Sequence, residues 1–166
     1  MRIALGSDHA GFRLKQTVAE FLAEWSHEVE DYGCYDTLPV DYPDVAREVG
    51  LAVAEGRCDR GILVCSNGVG MSIAANKVQG IRAALCHDTF SARRCREHND
   101  ANVLCLGEWV IGQGVARELV WAFLTTGFLA DHERHVRRVG KIAALDGERP
   151  GPTPTAPGVA RAGSVL

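Results

Sequence analysis

Residues 61–77, GILVCSNGVGMSIAANK, run an aliphatic stretch into Cys65 and then through Ser66, Asn67, Gly68, Val69 and Gly70 to a run of small residues. The pattern is a strand end, a glycine turn and a helix start. Free backbone N–H groups at such a junction hold an anion or an oxyanion, and a thiol in that field gains thiolate character and acts as nucleophile or base. A tight turn over a buried cysteine fits the same residues, so residue type alone leaves both readings open. Two chemistries drop out. There is no G-x-x-x-x-G-K-S/T, and Ile73 stands where a dinucleotide fingerprint needs its third glycine, so the patterns that hold ATP and NAD are absent.

Three further groups carry chemistry. Asp8 and His9 directly follow the first aliphatic run, where an aspartate either caps a helix or serves a site. His98, Asn99 and Asp100 end a charged segment, as a helix C-terminus with a dipole-favoured histidine or as site residues. Arg134, Arg138 and Lys141 lie four and three residues apart, on one helical face that is either solvated or a phosphate clamp. The six cysteines lack CxxC or metal-ligand spacing, which predicts reduced thiols, with Cys86 and Cys105 as small core residues.

The elements that position these groups follow from periodicity. RIALGS (2–7) reads as a strand, and the segment after it places Leu14, Val18, Phe21, Leu22 and Trp25 at helical spacing. EVEDYG is a second strand. The next helix opens with Pro43 in its first turn and aligns Val45, Val49, Ala52 and Val53. RGILVC, GIRAALC and NVLCLG supply three more strands, Asp88 begins a helix between the last two, and residues 112–127 and 131–145 form two closing helices. Strands without polar alternation, separated by helices, predict a single-domain, doubly wound α/β fold, Rossmann-like, with a five-stranded parallel sheet covered on both faces. Ligands in such folds bind beyond the carboxyl ends of the strands, so Asp8, His9, Cys65 to Gly70, His87 and Gly107 are expected on one rim.

The 166 residues suffice for one domain, expected over 1–146, followed by a Pro/Gly/Ala-rich tail over 147–166. A net charge of −3 offers no attraction to nucleic acid or anionic membranes, and no apolar run is long enough to span a bilayer, so a soluble cytoplasmic protein is expected.

Taken in order, GSDHAGF, DYPD, CSNGVGMSIAANK, GIRAAL, EHNDANVL and RHVRR closely resemble the ribose/galactose isomerase family, over residues 2 to about 146. The resemblance implies an α/β homodimer or tetramer that interconverts aldose and ketose phosphates, typically ribose 5-phosphate and ribulose 5-phosphate, without metal or organic cofactor, at sites shared between subunits. Carried over by position, it implies Cys65 as the base moving a proton between C1 and C2, and His98 as the acid/base that opens the furanose ring. It further implies Asp8 for hydroxyl handling, Tyr42 lining the site, His9, Arg134 and Arg138 on the phosphate, and Asn99 on sugar hydroxyls. Backbone N–H groups from Ser66 through Gly68, Val69 and Gly70 would stabilise the cis-enediolate. A second branch of the family uses a glutamate base at the position held here by Met71, which transfers no proton, so the cysteine branch is the match.

Two departures bear on the substrate. Asn67 stands where relatives carry Thr or Ser; it donates to an oxyanion but is a poor proton relay. Trp109, in LGEWVIG, stands where many relatives carry an arginine, with Arg93, Arg94 and Arg137 as candidate substitutes for the charge and an interface as the commoner use of the ring. The alternatives are an isomerase of a tetrose or hexose phosphate, a noncatalytic phosphosugar-binding module, and a cysteine hydrolase using His98, for which no hydrolase motif is present.

Overall fold

A computed structural model describes residues 1–147. All but the first residue of the expected tail lies outside the described residues. Five strands, β1 (Arg2–Ser7), β2 (Glu28–Asp31), β3 (Arg60–Cys65), β4 (Ala83–Leu85) and β5 (Val103–Gly107), form one wholly parallel sheet in the order β2-β1-β3-β5-β4. From β1 the chain steps to the edge at β2, returns past β1 to β3, crosses to the far edge at β4 and comes back to β5, so the switch point falls between β1 and β3, where such folds place ligands.

Six helices link and flank the strands: α1 (Phe12–Glu24), α2 (Tyr42–Ala54), α3 (Val69–Ala75), α4 (Thr89–Asn99), α5 (Gln113–Thr125) and α6 (Glu133–Leu145). One apolar cluster joins Leu14, Val18 and Leu22 of α1 to Leu119 and Phe123 of α5 across Ile3, Leu5, Ile62, Leu104 and Leu106. The other packs Val49 and Ala52 of α2 and Met71 and Ala75 of α3 on Ala4, Leu63, Val103 and Cys105. Alternate residues of each central strand thus feed opposite layers, which is why these strands read as continuous apolar runs. Cys86 and Cys105 are core residues, and all six cysteines are free and buried.

Some boundaries differ from the sequence expectation. The first helix does not begin at Asp8, because that side chain takes the next N–H groups into a 3-10 turn, His9–Gly11, and α1 starts at Phe12. GIRAALC yields only three strand residues, since Asn76 and Asn102 bond the backbone of Ala83 and Arg82 at its entry. α6 packs on α4, yet His135 is its one buried residue, with Val136, Ile142 and Leu145 exposed. A helix with an apolar stripe in solvent has not finished burying its surface.

Candidate active site

The first group of residues gathers at the carboxyl ends of β1 and β3. Asp8 Oδ1 accepts from the N–H groups of Ala10 and Gly11, each at 3.0 Å, and Asp8 N–H donates to the Val64 carbonyl at 3.3 Å. The cap reading of Asp8 is therefore correct, and the cap also fixes the carboxylate beside β3. Burial pushes this carboxyl up from its ordinary range, against the backbone donors Gly11 and Ala10 and the nearby His9, while Glu108 adds to the rise. His9 is exposed, and its Nδ1 accepts from Val40 N–H at 3.3 Å, which leaves Nε2 for a ligand.

Cys65 ends β3 almost fully buried, and its Sγ accepts the Gly68 N–H at 3.0 Å. Glu108 and Trp109 N–H groups donate to the Cys65 and Ser66 carbonyls, both at 2.9 Å, so the start of the loop after β5 clamps the thiol loop from the side. Asn67 Oδ1 accepts Val69 N–H at 3.0 Å, leaving the amide nitrogen as its outward donor. The Tyr42 ring packs 2.8 Å from where a Cβ on Gly70 would stand, which brings Tyr42 to this rim. α3 has only seven residues, so the electrostatics here come from nearby N–H groups rather than from a long aligned helix. Met71 is fully buried in the second cluster, a packing residue.

Gly68 has φ +79°, and a Cβ there would clash with Leu85 Cδ1. Gly68→Ala is expected to cost about 2 kcal/mol in urea unfolding, from the left-handed backbone plus overpacking. Activity should fall further than stability, because the N–H on the sulfur moves; a variant equal to wild type in both would show that this turn is not held for the thiol.

The second group lies elsewhere. His98 and Asn99 end α4, where the C-cap is Asp100 in the left-handed region, paired with Arg82 at 2.9 Å and Arg96 at 2.8 Å. Arg96 is buried and also bonds the Ala101 carbonyl, so the end of α4 is tied to the amino end of β5. His98 Nε2 meets Arg94 Nη1 at 3.1 Å, and the His98 ring stacks on His135 with centroids 4.3 Å apart and planes 11° from parallel. Arg134 donates to His135 Nε2 at 3.4 Å. Burial lowers the His135 pKa, with the charges of His98, Arg134, His132 and Arg138 adding to the effect.

Topology separates these groups. Cys65 pairs with Gly107 at the carboxyl end of β5, whereas His98 and Asn99 precede its amino end at Val103. Five strand residues span roughly 15 Å, and the sheet stands between. Asp8, His9, Tyr42, Cys65 and Ser66 to Gly70 are together within one chain; His98, Asn99, Arg134 and Arg138 are together at the opposite end. Of the substitute arginines, Arg94 reaches His98, Arg93 lines a groove with Trp25 and Trp121, and Arg137 is exposed on α6. Trp109 is 77% exposed at the Ser66 end. Sequence reasoning missed His135, and it named Arg94 only as a substitute charge, not as the partner of His98. The signals were present: Arg94 is one turn before His98, and His135 replaces an apolar residue in the stripe continued by Val139 and Ile142.

Among the described residues, no helix is long and apolar enough to cross a membrane. Residues 3–142 match the family model described as Ribose/Galactose Isomerase. The ribose-5-phosphate isomerase B of Escherichia coli is 46% identical over 148 residues, covering 89% of this chain and 98% of its own. A D-erythrulose-4-phosphate isomerase of Pectobacterium atrosepticum is 47% identical over 131 residues, covering 77% of this chain and 85% of its own. The solved structure of Clostridium thermocellum ribose-5-phosphate isomerase B superposes with a TM-score of 0.87 at 49% identity, covering 89% of this chain and 99% of that one.

Proposed function

The chain belongs to the ribose/galactose isomerase family and is a sugar-phosphate isomerase of the aldose–ketose type, and we propose that it interconverts ribose 5-phosphate and ribulose 5-phosphate through a cis-enediolate. The observation that carries the mechanism is the Cys65 sulfur, buried at the end of β3 and held at 3.0 Å from the Gly68 N–H on the rim shared with Asp8 and His9.

The steps are proton transfers. His98 donates to the ring oxygen while the Asp8 carboxylate takes the proton of the C1 hydroxyl, breaking the C1–O4 bond to give the open aldehyde. Cys65 as thiolate then removes the C2 proton, and the charge that develops on O1 is met by N–H groups of the loop from Ser66 through Val69 to Gly70 and by the Asn67 amide. Return of the proton to C1, with the O2 proton passing to O1, gives the ketose. His9, Arg134 and Arg138 hold the phosphate, Asn99 the hydroxyls, and Tyr42 walls the site.

Because one chain keeps Cys65 and His98 at opposite ends of the sheet, the reading requires a second copy. The exposed α6, with Val136, Ile142 and Leu145, and the exposed Val69 and Ile73 on α3 offer unburied apolar surface for that contact. A two-fold arrangement that sets α6 and the end of α4 of one subunit against the Cys65 rim of the other completes two sites at once. Residues 1–146 make up this cytoplasmic isomerase domain, and proton transfers of this kind call for no bound cofactor.

The test is steady-state interconversion of ribose 5-phosphate and ribulose 5-phosphate within a panel of tetrose, pentose and hexose phosphates. The expected result is the highest kcat/KM with ribose 5-phosphate. A second reading has a specific motive: Trp109 is a bulky exposed ring where many relatives place an arginine, which removes one charge that a phosphate could use. A folded protein clearly faster with a tetrose phosphate would replace the first reading with this one. Binding across the panel without turnover would leave a binding module.

A further inference from the structure

We propose that His135 is a positioning residue for ring opening, holding His98 by a parallel stack in the one orientation that presents its Nδ1–H to the sugar. This rests on the ring-opening role given to His98 above.

A half-buried histidine in the last turn of a helix has two free side-chain torsions and no reason to keep one setting. Here two contacts remove that freedom. The His135 ring, 2% exposed, lies parallel to the His98 ring with centroids 4.3 Å apart, fixing the plane. Arg94 is a guanidinium and only donates, so at 3.1 Å it makes His98 Nε2 the acceptor and leaves the ring proton on Nδ1. The plane and the tautomer are thus set by different elements, α6 and α4.

His135 suits this task and little else. It sits where an apolar residue would complete the stripe of Val139 and Ile142. Its Nδ1 is buried without a hydrogen-bond partner, and its Nε2 takes only the long contact from Arg134. Burying an unpartnered ring nitrogen carries a cost that an apolar side chain would avoid. A neutral ring is what the stack needs, and burial, with the nearby Arg134 and Arg138 charges, lowers its pKa and so favours that form. The charged and titratable groups around the pair are Arg94 and Glu97 on α4 and His132, Arg134 and Arg138 on α6. His132 approaches His135 at 5.6 Å but is tilted by 53°, so it is not a substitute stack.

Two reactions of the same protein separate positioning from general damage. Ribose 5-phosphate is largely a closed furanose and must be opened. Ribulose 5-phosphate has its carbonyl at C2 and its C5 oxygen esterified, so it cannot form a furanose, and exchange of its C1 proton with deuterium needs no ring opening. The ratio of turnover of the first to exchange in the second isolates the ring-opening step. His98→Asn is expected to lower that ratio at least tenfold, consistent with roughly 10²–10⁴ for general acid–base catalysis. His135→Ala should lower the ratio in the same direction, by roughly five- to tenfold, because a displaced acid is a weakened one. His135→Phe, flat and able to stack, should stay within about twofold of wild type. If His135→Ala reduces both reactions equally, or neither, while His98→Asn shows the split, the positioning role is wrong and His135 is a packing residue. If His98→Asn itself leaves the ratio unchanged, the ring-opening assignment fails first, and this inference falls with it.

Discussion

Cys65→Ala is expected to leave a folded protein that no longer exchanges the C1 and C2 protons, with turnover down by about 10³-fold or more, within the range for removal of a positioned base. The reason is structural. The sulfur is the atom set at the end of β3 with the Gly68 N–H fixed on it, and the clamp of Glu108 and Trp109 uses the Cys65 and Ser66 carbonyls, which an alanine keeps. The side chain lost is small, so destabilisation should be near 1 kcal/mol, readable as an ordinary denaturation midpoint beside an absent exchange signal. Exchange within tenfold of wild type would move the base elsewhere on the rim, with Asp8 the next carboxylate to test.

A mixture of two dead proteins should be alive. On the proposed two-fold arrangement, Cys65→Ala and His98→Asn chains would each form homodimers without one complete site. If each site takes Cys65 from one subunit and His98 from the other, a mixed dimer has one site with both defects and one with neither. Random reassortment makes half the dimers mixed, so the mixture should recover about a quarter of wild-type turnover of ribose 5-phosphate. The measurement is activity after unfolding and refolding the two chains together, against each refolded alone. No gain above the sum of the separate proteins, with mixed dimers shown by mass to be present, would place both residues of each site in one chain and contradict the topology described above.

How much was legible in the sequence depends on whether local or distant partners decided the matter. RGILVC and NVLCLG are buried on both faces, so their composition announced a parallel sheet. Asp88 as a helix cap was readable because its partner, Ser91, is three residues away. The end of α4 was only half readable: the polar residues His98 to Asp100 marked a terminus, but the clasp with Arg82 pairs Asp100 with a residue 18 positions back. Likewise β2 and β4 are short edge strands whose ends are set by loops and side-chain bonds, and periodicity over three or four residues carries little information. The rim residues Asp8, His9 and Cys65 were placed correctly because strand ends of a parallel sheet share one edge. That His98 sits at the other edge follows from the direction of α4, which brings the chain back from β4 to the start of β5. The motif order brought these residues into a single list without saying that they lie apart in space.

The near-complete exposure of α6 also has a thermodynamic side. A thirteen-residue helix attached chiefly through the His135 stack and the end of α4 has little buried area to oppose local opening. In an isolated chain its amides should exchange with solvent almost as fast as those of a loop, while the amides of β1, β3 and β5 wait for global unfolding. Covering it with a second subunit would lend it the free energy of association. Deuterium uptake along α6, followed as the protein is diluted, would then trace the same curve as the loss of catalysis, and one segment of backbone would report the state of the whole assembly.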